Sequence, residues 1–228
     1  SYYRSILEDP SGGGLLELVD RISTNHTYFF REKDHFDFLE KRVLPSIAQR
    51  LEAEGSKDLR LWCAGCATGE EAYTLAIVLA EFFGPRYFSD GPPILATDIS
   101  RTALEKAMLG AYGKERIDQI PKGLLHKYFT LNEAGGYSVK ESLKDLILFK
   151  RLNFKRESFP FRKKFHTIFC RNVMIYFDQP TKESLVKKFG DVLIDKGYLF
   201  IGHSETLGRD NLNFQYIQPA LYMKKESV

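Results

Sequence analysis

The chain has 228 residues, 33 Lys and Arg against 30 Asp and Glu, a formal charge of +3, and 43% hydrophobic residues. That length supports one or two domains with a full core, and the balanced composition excludes a disordered tail, a collagen-like repeat and the strong basic excess of a dedicated nucleic-acid binder. Three cysteines make no disulfide framework, and no stretch reaches the ~18 apolar residues of a membrane span.

The start, Ser1-Tyr2-Tyr3-Arg4, has neither Met nor the apolar run of a signal peptide, so a cytosolic protein shortened at its N-terminus is expected. In that setting the Asn25-His26-Thr27 sequon has no chemical meaning. Asp9-Pro10 and Ser11-Gly12-Gly13-Gly14 read as turn and linker. Leu15, Leu16, Leu18, Val19 and Ile22 then predict a short helix. From Asp34 to Glu54, Phe36, Leu39, Val43, Ile47 and Leu51 recur at helical steps, and Pro45 should end or kink that helix.

From residue 59 the rhythm changes. Leu59–Cys63 is a short apolar run ending in a Gly-containing loop (Ala64–Gly69), followed by a helix carrying Ala72, Leu75, Ala76, Leu79 and Ala80. Pro93–Asp98 reads as a strand and Thr102–Leu109 as a helix with Ser100 as its cap. Phe165–Cys170 is a strand, 181–194 a helix, Tyr198–Gly202 a strand, and Phe214–Ile217 with Ala220–Met223 a terminal hairpin. Strands alternating with helices predict an α/β fold on a parallel sheet. Tyr128–Lys150, with Gly135-Gly136 between Phe129–Leu131 and Tyr137–Val139, breaks the alternation and reads as a small antiparallel insertion.

An open α/β sheet binds its ligand beyond the carboxyl ends of its strands, which directs attention to the loop around Gly65. A helix start attracts anions, but Glu70 and Glu71 there would repel a pyrophosphate and suit a ligand bearing positive charge, such as an amino group or a sulfonium. One of the two can instead merely complement the helix dipole. Asp98, ending the second strand, can accept ribose hydroxyls. Its separation of 33 residues from Gly65 exceeds the ~20 of the dinucleotide fingerprint, which makes NAD the poorer fit. Cys63, Cys66 and Cys170 cannot assemble a four-ligand zinc site, and Cys63 ends a strand rather than opening a redox helix. They are expected to be small core or loop residues, and no metal is expected.

Several segments in order resemble the CheR-type chemotaxis receptor methyltransferases, class I S-adenosylmethionine enzymes that esterify receptor glutamates. They are Thr24–Glu32 (TNHTYFFRE), Gly65–Glu71, Ala96–Ile99, Asn153, Phe169–Phe177 (FCRNVMIYF) and Gly202–Glu205 (GHSE). The resemblance implies a Rossmann-like sheet with helices on both faces, a small antiparallel β insertion, and at 1–22 only the end and linker of a helical N-terminal domain, with the methyltransferase domain over 23–228. It implies Asn25, Thr27 and Arg31 at the methionine end of the cofactor, Glu71 and Asp98 at its amino acid and ribose parts, and Asn153 with Phe154 at the adenine. Gly65 in the loop is a further cofactor-binding residue, while Arg171 with Asn172 would close the pocket. Arg31 and Tyr176 would lie nearest the transferred methyl, although Tyr176 can equally be a buried aromatic beside Phe177.

The implied partner is the cytoplasmic part of chemoreceptors. The short turn at Asn132–Tyr137 resembles members that work without tethering to a receptor's C-terminal tail. No nucleic acid or membrane insertion is implied. A glutamate acceptor is ionised at neutral pH and needs no general base, which suits a sequence offering no nucleophile–base pair. His203 reads as structural rather than catalytic. Two alternatives stay open: a methyltransferase with another acceptor, and a module that binds S-adenosylmethionine or S-adenosylhomocysteine without turnover.

Overall fold

The computed structural model describes residues 26–84, 87–88, 91–208 and 213–226. The helix expected at Leu15–Ile22, the preceding linker and Asn25 lie outside these residues. The long N-terminal helix is built in three pieces: α1 (Lys33–Phe38), a π-helical segment (Leu39–Val43) and α2 (Leu44–Ala53). Pro45 occupies the first turn of α2, and the widened turn sits where its ring would otherwise meet the carbonyl four residues back. The chain thus bends through the proline rather than stopping. Phe36, Leu39, Val43, Ile47 and Leu51 are all buried, as their spacing predicted.

The main sheet follows. Its strands are β1 (Leu61–Ala64), β2 (Ile94–Asp98), β6 (Ile147–Arg151), β7 (Phe165–Cys170), β8 (Leu193–Ile201), β9 (Phe214–Gln218) and β10 (Leu221–Lys224), in the order β6-β2-β1-β7-β8-β10-β9. The first five are parallel, and β10 runs antiparallel to both its neighbours. Helices α3 (Glu70–Phe83) and α4 (Arg101–Leu109) cover one face, and α8 (Gln179–Val192) the other. Along β1 the residues alternate between two cores: Leu61 and Cys63 face one, Trp62 and Ala64 the other. Trp62 is fully buried, with its indole N–H on Thr97 Oγ1 at 2.9 Å and the rings of Phe159, Phe161, Phe165 and Phe189 packed around it.

A second sheet has three short antiparallel strands, β3 (Ala111–Tyr112), β4 (Phe129–Leu131) and β5 (Tyr137–Val139), in the order β3-β5-β4. Short helices α5 (Lys114–Ile117) and α6 (Lys122–Tyr128) link β3 to β4, and α7 (Glu141–Lys144) follows β5. The insertion expected at 128–150 therefore begins earlier and ends earlier: Ile147–Lys150 lies in β6 and pairs with β2 in the main sheet. The helix expected to reach Ile194 stops at Val192, because Leu193 pairs with Phe165 and Lys196 takes a left-handed turn with φ of 63°.

Candidate active site

The order in which the chain adds strands reverses at β1, whose parallel neighbours are β2 on one side and β7 on the other. This switch point is where an open α/β sheet leaves a crevice. The loop after β1 and the segment after β7 meet there. Gly65 has φ of 90°, and a Cβ on it would lie 2.4 Å from Val173 Cγ2, so only glycine permits the approach.

Four of the loop's amides are turned inward rather than offered to a phosphate. Gly65 N and Cys66 N both donate to Thr97 O (2.8 and 2.9 Å), Ala67 N donates to Asp98 Oδ2 (2.8 Å), and Gly69 N donates to Cys66 O (2.9 Å). Anion cradles need such groups unpaired. The two acidic residues that follow have different fates. Glu70 is fully buried, accepting from Thr68 Oγ1 (2.6 Å) and Arg116 Nη1 (2.7 Å), and so braces the helix start. Glu71 is the one at the crevice: Oε2 takes Arg171 Nη1 at 2.9 Å and Oε1 the Cys63 thiol at 3.3 Å. Burial raises its pKa above the usual carboxylate range, and Arg171 offsets only part of that.

Arg171 joins the elements of the site. Besides Glu71, its Nη2 reaches Arg31 O and lies 3.1 Å from Glu32 Oε2, and its guanidinium sits over the Phe36 ring. Glu32 and Arg31 form the turn before α1, so one buried cation ties that turn, the start of α3 and the segment after β7 together. Burial pushes Glu32 up, but Arg171 outweighs it and holds that carboxyl below the usual range. Arg31 itself donates Nη1 to His26 O (2.8 Å) and lies over the Tyr28 ring, with a quarter of its side chain exposed. Thr27 is half-buried beside it.

On the other flank Asp98 ends β2, nearly buried. Its oxygens accept from Ala67 N and from Ser100 N (2.9 Å), while Ser100 Oγ caps α4 through Ala103 N (3.1 Å). Asn153 is exposed just past β6, closing a turn onto Lys155 N, and Phe154 packs edge-on to Trp62, Phe159 and Phe189. Asn172 adopts a left-handed φ of 57° against Gly202, where a Cβ would meet its Nδ2 at 2.5 Å. Tyr176 is 60% exposed at the end of a 3₁₀ turn (Met174–Tyr176), which rejects the buried-aromatic reading.

One organising residue has no signal in spacing or composition. Glu205 accepts from Gly202 N (2.6 Å), Asn172 N (2.9 Å) and Ile175 N (3.2 Å), fixing the backbone between Arg171 and Tyr176. Burial raises its pKa, against the pull of those amides. The cysteines are buried free thiols whose pKa values burial pushes well up, as expected of core residues.

A phosphate-free ligand with a positively charged end fits this chemistry, since the amides of Gly65, Cys66, Ala67 and Gly69 are engaged and Glu71 borders the crevice. Comparison with known proteins agrees. A family model described as "CheR methyltransferase, SAM binding domain" matches residues 25–223. The chain is 48% identical to the chemotaxis protein methyltransferase of Borreliella burgdorferi, over 97% of this chain and 78% of that one. It is 34% identical to chemotaxis protein methyltransferase 1 of Pseudomonas aeruginosa (90% and 75% covered) and 33% identical to the Escherichia coli chemotaxis protein methyltransferase (100% and 74%). This chain therefore belongs to the CheR methyltransferase family, as an S-adenosylmethionine-dependent methyltransferase of chemotaxis.

Proposed function

We propose that this methyltransferase esterifies glutamate side chains in the cytoplasmic part of chemoreceptors, acting in the cytoplasm and without tethering to a receptor tail. Residues 1–22 would be the end of a helical domain joined to the methyltransferase domain at 23–228. The observation that supports an anionic acceptor is Arg31. Its guanidinium is steadied by His26 O and the Tyr28 ring yet stays partly exposed at the crevice, ready to align a carboxylate.

When bound, S-adenosylmethionine supplies an electrophilic methyl group on a sulfonium. Glu71 and Asp98 would hold its amino and ribose parts, with Asn25, Thr27 and Arg31 along the methionine end. Asn153 and Phe154 would flank the adenine, and Arg171 with Asn172 close the pocket around Gly65. A glutamate with a pKa of about 4.3 arrives ionised, so no base is required. Arg31 and Tyr176 orient it, and the site works by alignment and by excluding water from charges that cancel in the transition state. Arg31 must hold the carboxylate loosely enough not to stabilise the ground state more than the transition state.

Transfer of a labelled methyl group to receptor cytoplasmic fragments, released as methanol by base, tests this reading. Base-stable label, or label on nucleic acid or small molecules alone, would refute the glutamate assignment. Loss of transfer on removing the receptor's tail would refute tether-free action.

A further inference from the structure

Beside Arg171, the side chains of Asp34, His35 and His203 converge on Glu32, the carboxylate that pairs with Arg171. His35 is fully buried on α1, and both its ring nitrogens lack a hydrogen-bond partner. Glu32 Oε2 lies 3.5 Å from His35 Nδ1 and is ion-paired with Arg171 Nη2 at 3.1 Å. The His203 ring meets the His35 ring edge-on with centroids 4.8 Å apart, and its Nε2 lies 4.0 Å from Glu32 Oε2 and 3.1 Å from Asp34 Oδ2. Native proteins pair nearly all buried polar groups. The unpartnered ring nitrogens of buried His35, beside the Glu32 carboxylate and the His203 ring, call for a ligand.

We propose that Glu32, His35 and His203, with Asp34 at the rim, bind a divalent transition-metal cation of the zinc class. The potential ligand atoms of the first three all lie within 4.8 Å of one another. Around a tetrahedral ion with ~2.1 Å bonds such atoms sit about 3.4 Å apart, so closure needs modest movement, available to the half-exposed His203 ring. Imidazole and carboxylate together suit zinc, cobalt or nickel, and not magnesium or calcium, which favour all-oxygen shells. Burial and then Arg171 hold the His35 pKa down at about 4, which keeps its ring neutral and able to ligate. Arg171 is a competing cation on Glu32, but Glu32, Asp34 and Glu71 together outnumber Arg31 and Arg171 by one charge. His203 and Asp34, both substantially exposed, provide the way in. These residues are distinct from the cysteines.

The test uses the chelator-stripped full chain titrated with Co²⁺ as a spectroscopic probe, followed by displacement with Zn²⁺. One equivalent should be taken up with the ligand-field bands of a low-symmetry nitrogen–oxygen site, and Zn²⁺ should bleach them. His35→Ala opens a hole in the core, so the deciding variant is the surface change His203→Ala, which should weaken uptake by more than about tenfold while leaving the thermal unfolding of the metal-free chain unchanged. Absence of stoichiometric uptake, equal uptake by His203→Ala, preference for Mg²⁺ or Ca²⁺, or a thiolate-to-cobalt charge-transfer band would each overturn the proposal.

Discussion

The contact of Gly65 with Val173 joins the two loops of the crevice, and Gly65→Ala tests it directly. Alanine at φ of 90° is strained by about 1–2 kcal/mol, since a Cβ crowds the adjoining peptide in left-handed conformations. Its Cβ would also stand 2.4 Å from Val173 Cγ2, well inside van der Waals contact. Overpacking of that kind costs about 1–3 kcal/mol as the neighbour is displaced. The total expected loss is about 2–5 kcal/mol, read as a shift in the denaturant midpoint at constant slope. Val173 follows Arg171 and Asn172, so displacement should also weaken S-adenosylhomocysteine binding in a calorimetric titration. Adding Val173→Ala removes the overlap but not the backbone strain. A double-mutant cycle should therefore show about 1–3 kcal/mol of favourable coupling between the two changes. Additivity to within about 0.5 kcal/mol, or a Gly65→Ala protein as stable as the parent, would refute the steric account.

The other expectations are briefer. Glu71→Lys, which sets a second cation against Arg171, should abolish S-adenosylhomocysteine binding, and unchanged affinity would show that the charge of the crevice is irrelevant. Glu70→Gln should instead lower stability by about 1–3 kcal/mol with little change in affinity, because that carboxylate serves Thr68 and Arg116. Arg31→Ala should reduce turnover, on the order of 10²-fold, more than it reduces cofactor affinity; equal losses would make it a binding residue only. His166 accepts Arg60 N on Nδ1 at 3.1 Å, and burial, then Arg60, lowers its pKa from 6.5 to about 4. Its contribution is thus full above pH 6.5 and lost as pH falls toward 4, by roughly 3 kcal/mol, and His166→Asn should flatten that slope in unfolding titrations.

Much of this fold can be read from residue patterns because strong local signals coincide with it. The apolar runs at Leu61–Ala64 and Phe165–Cys170 are buried on both faces, the condition under which a strand reads as uninterrupted hydrophobicity. Ser100 caps its helix as its residue type predicts. Ile147–Arg151 misleads because it is an edge strand with half-exposed residues and a charged end. Nothing local says which of two sheets it will join. Ala111–Tyr112, two residues long, has no periodicity to detect. The π-helical widening answers a proline whose effect on the turn before it depends on tertiary packing. In the site, Glu71 and Asp98 announce themselves by position at strand and helix ends. The partners of Arg171, and those of Glu205 at Asn172 and Ile175, arise from contacts 30 to 140 residues apart, which no spacing rule encodes.

Trp62 is the chain's only tryptophan, sealed in a dry aromatic cage. Its fluorescence should be blue-shifted in the native protein and move to longer wavelength on denaturation, giving a label-free optical readout of folding. Phe154 leans on that cage directly after Asn153, so an adenosine lodging beside these two residues should alter the emission intensity. The protein thus carries a built-in fluorophore for following ligand uptake by stopped flow, without dyes or radioactivity.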